Sequence, residues 1–241
     1  MRASTVVLAA ALTITGAAGA VGLARGSGDA VIAGSFSHDD ERRAGPDSAR
    51  VEAFFRSLHA ADPMLCEMVA DQLGNFWSSM GDDMIGSLAD GARRWEPVRD
   101  SLAGRVTDAA ARRRLLTALG DDDVCIRRTA AKMLGHTGEL AEPALKEALR
   151  SSLPRVREAA LLALGHAELP GSFDAVMDAT RDPSPEVTAM ATWALGEYED
   201  ARGFGRLNDL TRSGLARVRR AAAWGLGQLE DPRGVAALAP L

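Results

Sequence analysis

A ten-residue block of apolar and polar positions occurs four times in the second half of the chain. The copies are residues 126–135, 156–165, 187–196 and 218–227, and their closing glycines are 30, 31 and 31 residues apart. If the first residue of a block is position 0, then positions 0, 4 and 8 hold Val, Ile, Ala or Leu in every copy. This spacing puts them on one stripe of an α-helix. Each block therefore predicts an amphipathic helix with one buried face.

A second, shorter helix is predicted after each block, over residues 142–150, 173–180, 204–212 and 234–238. The glycine at position 9 is expected to end each first helix as a left-handed cap. One helix pair cannot bury its apolar face alone, so the pairs are expected to stack into a right-handed α-solenoid. The predicted fold class is all-α, with a period of 30–31 residues.

The blocks resemble a known family, the short HEAT repeats named after phycobilisome lyases. The shared pattern is D-x-x-x-V-R-x-x-A-x-x-A-L-G, and the resemblance covers residues 121–241 well and residues 62–120 more weakly. It implies a solenoid of HEAT-like helix pairs. It leaves the function open, because such repeats occur in lyase subunits, in hydroxylases and in binding scaffolds.

The chain divides into four parts by composition and pattern. Residues 1–20 are expected to be a signal peptide and residues 21–47 a flexible linker rich in Gly, Ser and Asp. Residues 48–120 are expected to form degenerate helical units, beginning with an amphipathic capping helix at Ser48, and residues 121–241 the regular repeats.

The N-terminus has the organisation of an export signal. Arg2 precedes an apolar run, and residues 18–20, Ala-Gly-Ala, match the small-residue pattern of a cleavage site. We expect cleavage after Ala20 and a periplasmic or extracellular protein. The alternative is an uncleaved membrane anchor, since residues 6–23 carry no charge and approach the length that spans a bilayer. Membrane contact is expected only in that second case.

Composition and charge exclude two classes of protein. The 241 residues are 46% hydrophobic and 25% charged, which is too apolar for a disordered chain. Lys and Arg number 28 against 33 Asp and Glu, a net charge of −5. Nucleic-acid binding depends on a basic face, so no nucleic-acid partner is expected.

The chain has two cysteines, Cys66 and Cys125. Counting back along the repeat places them two units apart, roughly 20 Å at about 10 Å per unit. A disulfide needs Cα atoms within about 7 Å, so we expect these two cysteines not to bridge.

Arginine recurs at position 1 of the blocks as Arg127, Arg157 and Arg219, and Thr188 stands in the remaining block. The residues are either a row of cations that binds an anion, or a structural ladder to acidic turn residues and unpaired carbonyls of neighbouring units. Recurrence in register favours the ladder, because every unit has the same packing problem to solve.

His136 and His166 follow the block glycines at matching positions. Equivalent positions in adjacent units lie roughly 10 Å apart, too far for two ligands of one metal ion, whose bonds are about 2 Å long. HEAT-like hydroxylases carry His-Glu pairs inside the first helix of a unit, and the corresponding places here, such as Arg128-Thr129, hold no such pair. We expect no metal and no cofactor.

Trp193 and Trp224 share position 6 of adjacent blocks, at the edge of the apolar stripe. They form either a contact patch for a partner or a filling for the space left by surrounding alanines. They are the best candidates for partner contact.

The sequence shows no catalytic constellation, since G-x-S-x-G, H-E-x-x-H and phosphate-loop motifs are absent. A solenoid offers a long surface for a protein or an extended peptide. We expect an exported, non-enzymatic interaction scaffold whose partner is unknown. The alternative, implied by the resemblance, is an enzyme or enzyme subunit of the phycobilin-lyase type.

Overall fold

Helices account for all the regular secondary structure in residues 45–59 and 105–239, the part of the chain that the computed structural model describes. The predicted all-α fold is confirmed. The ten α-helices are α1 (Ser48–Leu58), α2 (Ala109–Ala118), α3 (Val124–Thr137), α4 (Glu142–Ala148), α5 (Pro154–Ala167), α6 (Phe173–Ala179), α7 (Pro185–Glu197), α8 (Phe204–Leu210), α9 (Ala216–Gln228) and α10 (Pro232–Leu238). Short 3₁₀ turns at Gly138–Leu140, Pro170–Ser172 and Ala201–Gly203 precede α4, α6 and α8.

The helices stack as a solenoid of two layers. The first helices, α3, α5, α7 and α9, lie side by side and contact one another in series. Each of the second helices α4, α6 and α8 packs mainly on the first helix of the following unit, and less on its own partner. The array is therefore held together by contacts between neighbouring units, as in other α-solenoids.

The first helices begin where the sequence supplies a cap or a proline. The side chains of Asp123 and Ser184 accept hydrogen bonds from backbone N–H groups in the first turns of α3 and α7. Pro154 and Pro185 occupy the first turns of α5 and α7, where a missing N–H costs nothing.

The predicted apolar stripe faces the core. The position-8 leucines are all at most 1% exposed: Leu134, Leu164, Leu195 and Leu226. At position 0 the one exception to full burial is Val156, which packs partly buried against the core.

The position-9 glycines do not end the first helices, so the predicted left-handed caps are wrong. All four lie inside helices and none has a positive φ: Gly135, Gly165, Gly196 and Gly227. Three of them, Gly135, Gly165 and Gly196, allow neighbouring helices to approach closely. A Cβ atom on Gly196 would lie 2.6 Å from the Cα of Gly225, and one on Gly165 would lie 2.7 Å from Cζ3 of Trp193.

The left-handed residue instead comes three positions later in each unit. Its φ is 65° at Gly138, 49° at Glu168, 48° at Glu199 and 48° at Glu230. Three non-glycine residues thus adopt a conformation that L-residues rarely take, and the chain turns there toward the second helix.

We expect alanine to act oppositely at two of the position-9 glycines. Gly196→Ala forces a methyl group against the backbone of Gly225, and the overpacking should lower the free energy of unfolding by about 1–3 kcal/mol. Gly227→Ala meets no described atom within 4 Å, so the better helix propensity of Ala should leave stability unchanged or raise it by up to about 1 kcal/mol. Thermal melts followed by circular dichroism compare the two. Equal losses in both variants would show that close approach is not the reason for the glycines.

An arginine ties the turn of each of the last two units to the preceding second helix. Arg202 is paired with Asp200, and its guanidinium lies 4.0 Å from the ring centroid of Phe173 in α6. The next unit repeats this arrangement, at 4.1 Å, with Asp231, Arg233 and Phe204.

The helices α1 and α2 cover the α3 end of the stack. α1 packs on both α2 and α3, and its apolar stripe is buried: Val51, Phe54, Phe55 and Leu58. The Nε of Arg114 in α2 donates to Glu52 in α1 at 2.6 Å, and its guanidinium lies over the ring of Phe55. Just after α1, Nδ1 of His59 lies 3.7 Å from a carboxylate oxygen of Asp123, the N-cap of α3.

The expectation that Cys125 stays unbridged is wrong. Cys125 is disulfide-bonded, and Cys66, which lies outside the described residues, is the chain's other cysteine. The contact between His59 and Asp123 gives the reason: the chain at residue 59 already lies beside the start of α3. Counting units by the sequence period placed this segment too far away.

The predicted signal peptide, the linker up to residue 44 and most of the degenerate units lie outside the described residues. Within the described ranges, no helix has the length and apolar character that a membrane span requires.

Candidate functional site

The arginines at position 1 all donate to backbone carbonyls six residues earlier. The Nη1 atom of each arginine is the donor. The pairs are Arg127 with the carbonyl of Asp121 at 2.8 Å, Arg157 with that of Ser151 at 2.8 Å, and Arg219 with that of Ser213 at 2.7 Å. In the remaining unit the hydroxyl of Thr188 donates to the carbonyl of Asp182 at 2.8 Å. Each side chain thus satisfies a carbonyl in the turn before its own helix.

Arg157 also joins two units. Its Nε and Nη2 donate to the two carboxylate oxygens of Asp182, each at 2.8 Å, and both side chains are mostly buried. The hydrogen bonds from Arg157 hold the pKa of Asp182 below its usual value, although burial acts in the opposite direction. The guanidinium is therefore engaged by the protein itself.

The two candidate tryptophans lie together. The rings of Trp193 and Trp224 are stacked, with centroids 6.4 Å apart and planes at 22°. Trp193 is half-buried and packs against the core over Gly165, while Trp224 is 38% exposed. Trp193 thus fills space above a glycine and also reaches the surface, while Trp224 extends the aromatic surface beside it.

A groove of about 470 Å³ crosses the face of the first helices beside Trp193. Its apolar lining comes from α5 and α7 and includes Leu162, Ala189 and Met190. His166 also lines it, and its imidazole meets the Trp193 ring edge-on at a centroid distance of 5.2 Å. A continuous apolar surface with aromatic character therefore runs across neighbouring units.

Charged side chains border the apolar part of the groove. Arg128 and Lys132 lie at its α3 end, Glu158 on α5, Glu186 on α7 and Arg217 on α9. The sequence identified Trp193 but not this set. These charged residues stand at only three positions of the block: position 2, position 6 and the position just before position 0. A comparison of these three positions across the aligned blocks could have identified most of them.

Among the described residues, the two block histidines, His136 and His166, belong to no metal-binding group. Across the described ranges, no group of three or more His, Cys, Asp or Glu side chains is arranged to hold a metal ion.

Three glutamates, Glu168, Glu197 and Glu199, lie near one another at the end of α7 and repel one another when they are ionised. Burial, followed by the charges of Glu168 and Glu199, raises the pKa of Glu197 from 4.5 to about 7. Burial and the charge of Glu199 also raise the pKa of Glu168. Ionisation of Glu197 is thus unfavourable in the folded protein.

The protein should become less stable as the pH rises from 5 to 8. Glu197 binds its proton more tightly in the folded protein than in the unfolded chain. The protonated side chain therefore contributes to the free energy of unfolding, fully below about pH 4.5, and this contribution is lost as the pH passes about 7. The loss is at most about 3 kcal/mol. Carboxylates with lowered pKa values, such as Asp182, titrate below this window.

The natural protein and the variant Glu197→Gln are each melted thermally at pH 5 and at pH 8 to measure this effect. The variant should lose most of the pH dependence, whereas Asp209→Asn on the exposed surface of α8 should keep it. An unchanged dependence in Glu197→Gln would contradict the assignment.

One comparison with known proteins identifies the repeats. A model of the HEAT repeats family matches residues 100–165 and 173–241, more than half of the chain. No curated protein matches the sequence.

Proposed function

Because the chain belongs to the HEAT repeats family, whose members generally mediate protein–protein interaction, we propose that it is an exported, non-enzymatic scaffold that binds a partner protein in the groove. The partner contributes an extended segment that crosses the first helices. The proposal includes the type of repeat: with their period of 30–31 residues, the repeats resemble the short, phycobilisome-lyase-like type.

The observation that carries the proposal is the half-buried Trp193 in an apolar groove shared by neighbouring units. Buried aromatic anchors surrounded by weaker contacts dominate the binding energy of many interfaces. Trp193 has this setting, with Leu162 and Met190 in the same lining and Trp224 stacked on it. A ligand there touches at least two units at once.

Two observations support export. The N-terminal twenty residues have the charged, apolar and small-residue parts of a secretory signal. Cys125 is disulfide-bonded, and structural disulfides persist mainly outside the reducing cytoplasm. Cell fractionation followed by N-terminal sequencing tests this part, and a mature protein that begins at Val21 outside the cytoplasm is expected.

Photo-crosslinking from inside the groove tests the binding proposal. With Ala189→p-benzoylphenylalanine, irradiation of envelope fractions should give one discrete crosslinked species. The same species should be lost when Trp193→Ala is added.

The matched control carries the same photoreactive residue in place of Asp174, whose exposed side chain lies on the second helix α6. No crosslink is expected there. The same products from both sites, or a species that persists in Trp193→Ala, would contradict a partner-binding groove. Circular dichroism of each variant checks that the solenoid is intact.

A further inference from the structure

We propose that the segment bound in the groove is basic, with arginine or lysine placed beside an apolar residue. This proposal rests on the proposed function and names the chemistry of its partner.

The first argument is the state of the charges around the groove. The cations at the α3 end, Arg128 and Lys132, already have interaction partners. Glu158 lines the same groove, and no residue of the described ranges pairs with its carboxylate. A half-buried carboxylate beside an apolar surface gains most from an incoming cation.

The second carboxylate, Glu186, is held in its ionised form. A hydrogen bond from its own backbone N–H and one from the Ser184 hydroxyl lower its pKa, and the charge of Arg217 lowers it further. Arg217 balances one of the two carboxylates and leaves the other available. The α5–α7 part of the groove is therefore complementary to a positive charge.

The third argument is the aromatic side chain that lines the same groove as these carboxylates. A guanidinium or ammonium group binds favourably over the face of an indole ring, and the methylene stems of Arg and Lys pack on apolar surface. Trp193 supplies the indole, and Leu162 and Met190 supply the apolar surface. A segment with arginine beside an apolar residue can thus pair with Glu158 and cover Trp193.

The length of the segment follows from the helix spacing. From α5 to α9 the groove crosses two helix-to-helix intervals of about 10 Å each. An extended chain covers this distance with about six residues, so a short linear peptide is a sufficient probe.

Three acetylated seven-residue peptides test the proposal on the full chain. Each has leucine at its second, fourth and sixth positions, and arginine, serine or glutamate at the others. Binding is measured by the change in tryptophan fluorescence and by calorimetry. The arginine peptide should bind at least tenfold more tightly than the serine peptide, and the glutamate peptide should bind most weakly.

Two variants of the protein locate the effect. Glu158→Gln keeps the shape of the side chain and should weaken the arginine peptide five- to tenfold, while Asp209→Asn, an equal change of charge on α8, should change its binding less than twofold. Glu158→Lys should shift the preference toward the glutamate peptide. Circular dichroism confirms that each variant is folded.

Three results would overturn the basic-segment proposal. Equal binding of the arginine and serine peptides, detected by tryptophan fluorescence, would remove the role of charge while leaving the groove as a binding site. Equal effects of Glu158→Gln and Asp209→Asn would reduce the preference to the net charge of the protein. Failure of all three peptides would also reject it, and the crosslink from position 189 would then decide separately whether the groove binds a partner.

Discussion

Leu164→Asp is expected to unfold the protein. Leu164 is fully buried at position 8 of α5, in the middle of the stack. Removing a buried leucine costs about 2–5 kcal/mol, and leaving a carboxylate unpaired in its place adds several more. The sum approaches the whole stability of a typical domain, about 5–15 kcal/mol. Thermal and urea denaturation followed by circular dichroism measure the loss.

The control for this prediction is Arg220→Ala, on the exposed side of α9. Exposed substitutions away from caps and pairs usually change stability by less than about 0.5 kcal/mol. Similar melting temperatures for the two variants would mean that the buried and exposed sides of the first helices have been assigned wrongly.

Loss of the disulfide at Cys125 is expected to have the second largest effect. The only other cysteine, Cys66, is 59 residues earlier, and closing a loop of that length stabilises a folded chain by about 4 kcal/mol in the chain-entropy description. Cys125→Ser should therefore melt well below the natural protein under oxidising conditions.

Reduction separates the disulfide from the packing of the side chain. Dithiothreitol should lower the melting temperature of the natural protein and leave that of Cys125→Ser unchanged. A natural protein that is insensitive to the reductant would show that the bond contributes nothing to stability.

The sequence predicted the parts of the fold that depend on local periodicity. The apolar stripe of the first helices is buried as expected, and α4, α6 and α8 begin at residues 142, 173 and 204, where the second helices were placed. Each of these features is encoded within one helix and its turn, so a single unit contains enough information to define it.

The wrong predictions concern contacts between parts of the chain that are distant in sequence. Glycine near the end of an amphipathic helix is compatible with a left-handed cap and with close helix packing. Only the position of the neighbouring helix distinguishes them, as the contact of Gly196 with Gly225 does here. The prediction that the two cysteines do not bridge failed for the same reason. The chain folds back so that α1 contacts α3, which the regular period does not indicate.

The candidate site was predictable in part. Trp193 and Trp224 stood out because large aromatics are rare in this chain. Glu158 and Met190 are ordinary residues within a helix, and nothing in one block marks them. They line the groove only because α5 and α7 pack side by side. The alignment of the blocks gives the order of these helices along the stack but not the distance between them.

The packing of second helices on the following unit determines how the stack is expected to open. The first helices contact one another most extensively, and among the pairs that include a second helix the largest contacts join α4 to α5, α6 to α7 and α8 to α9. Regions with few contacts open first, so we expect each second helix to detach from the first helix of the following unit before the layer of first helices separates. The sequence repeat and the packing of the second helices are offset by one helix. The family match divides at the same place, since it stops at residue 165, within the last turn of α5, and resumes at residue 173, where α6 begins.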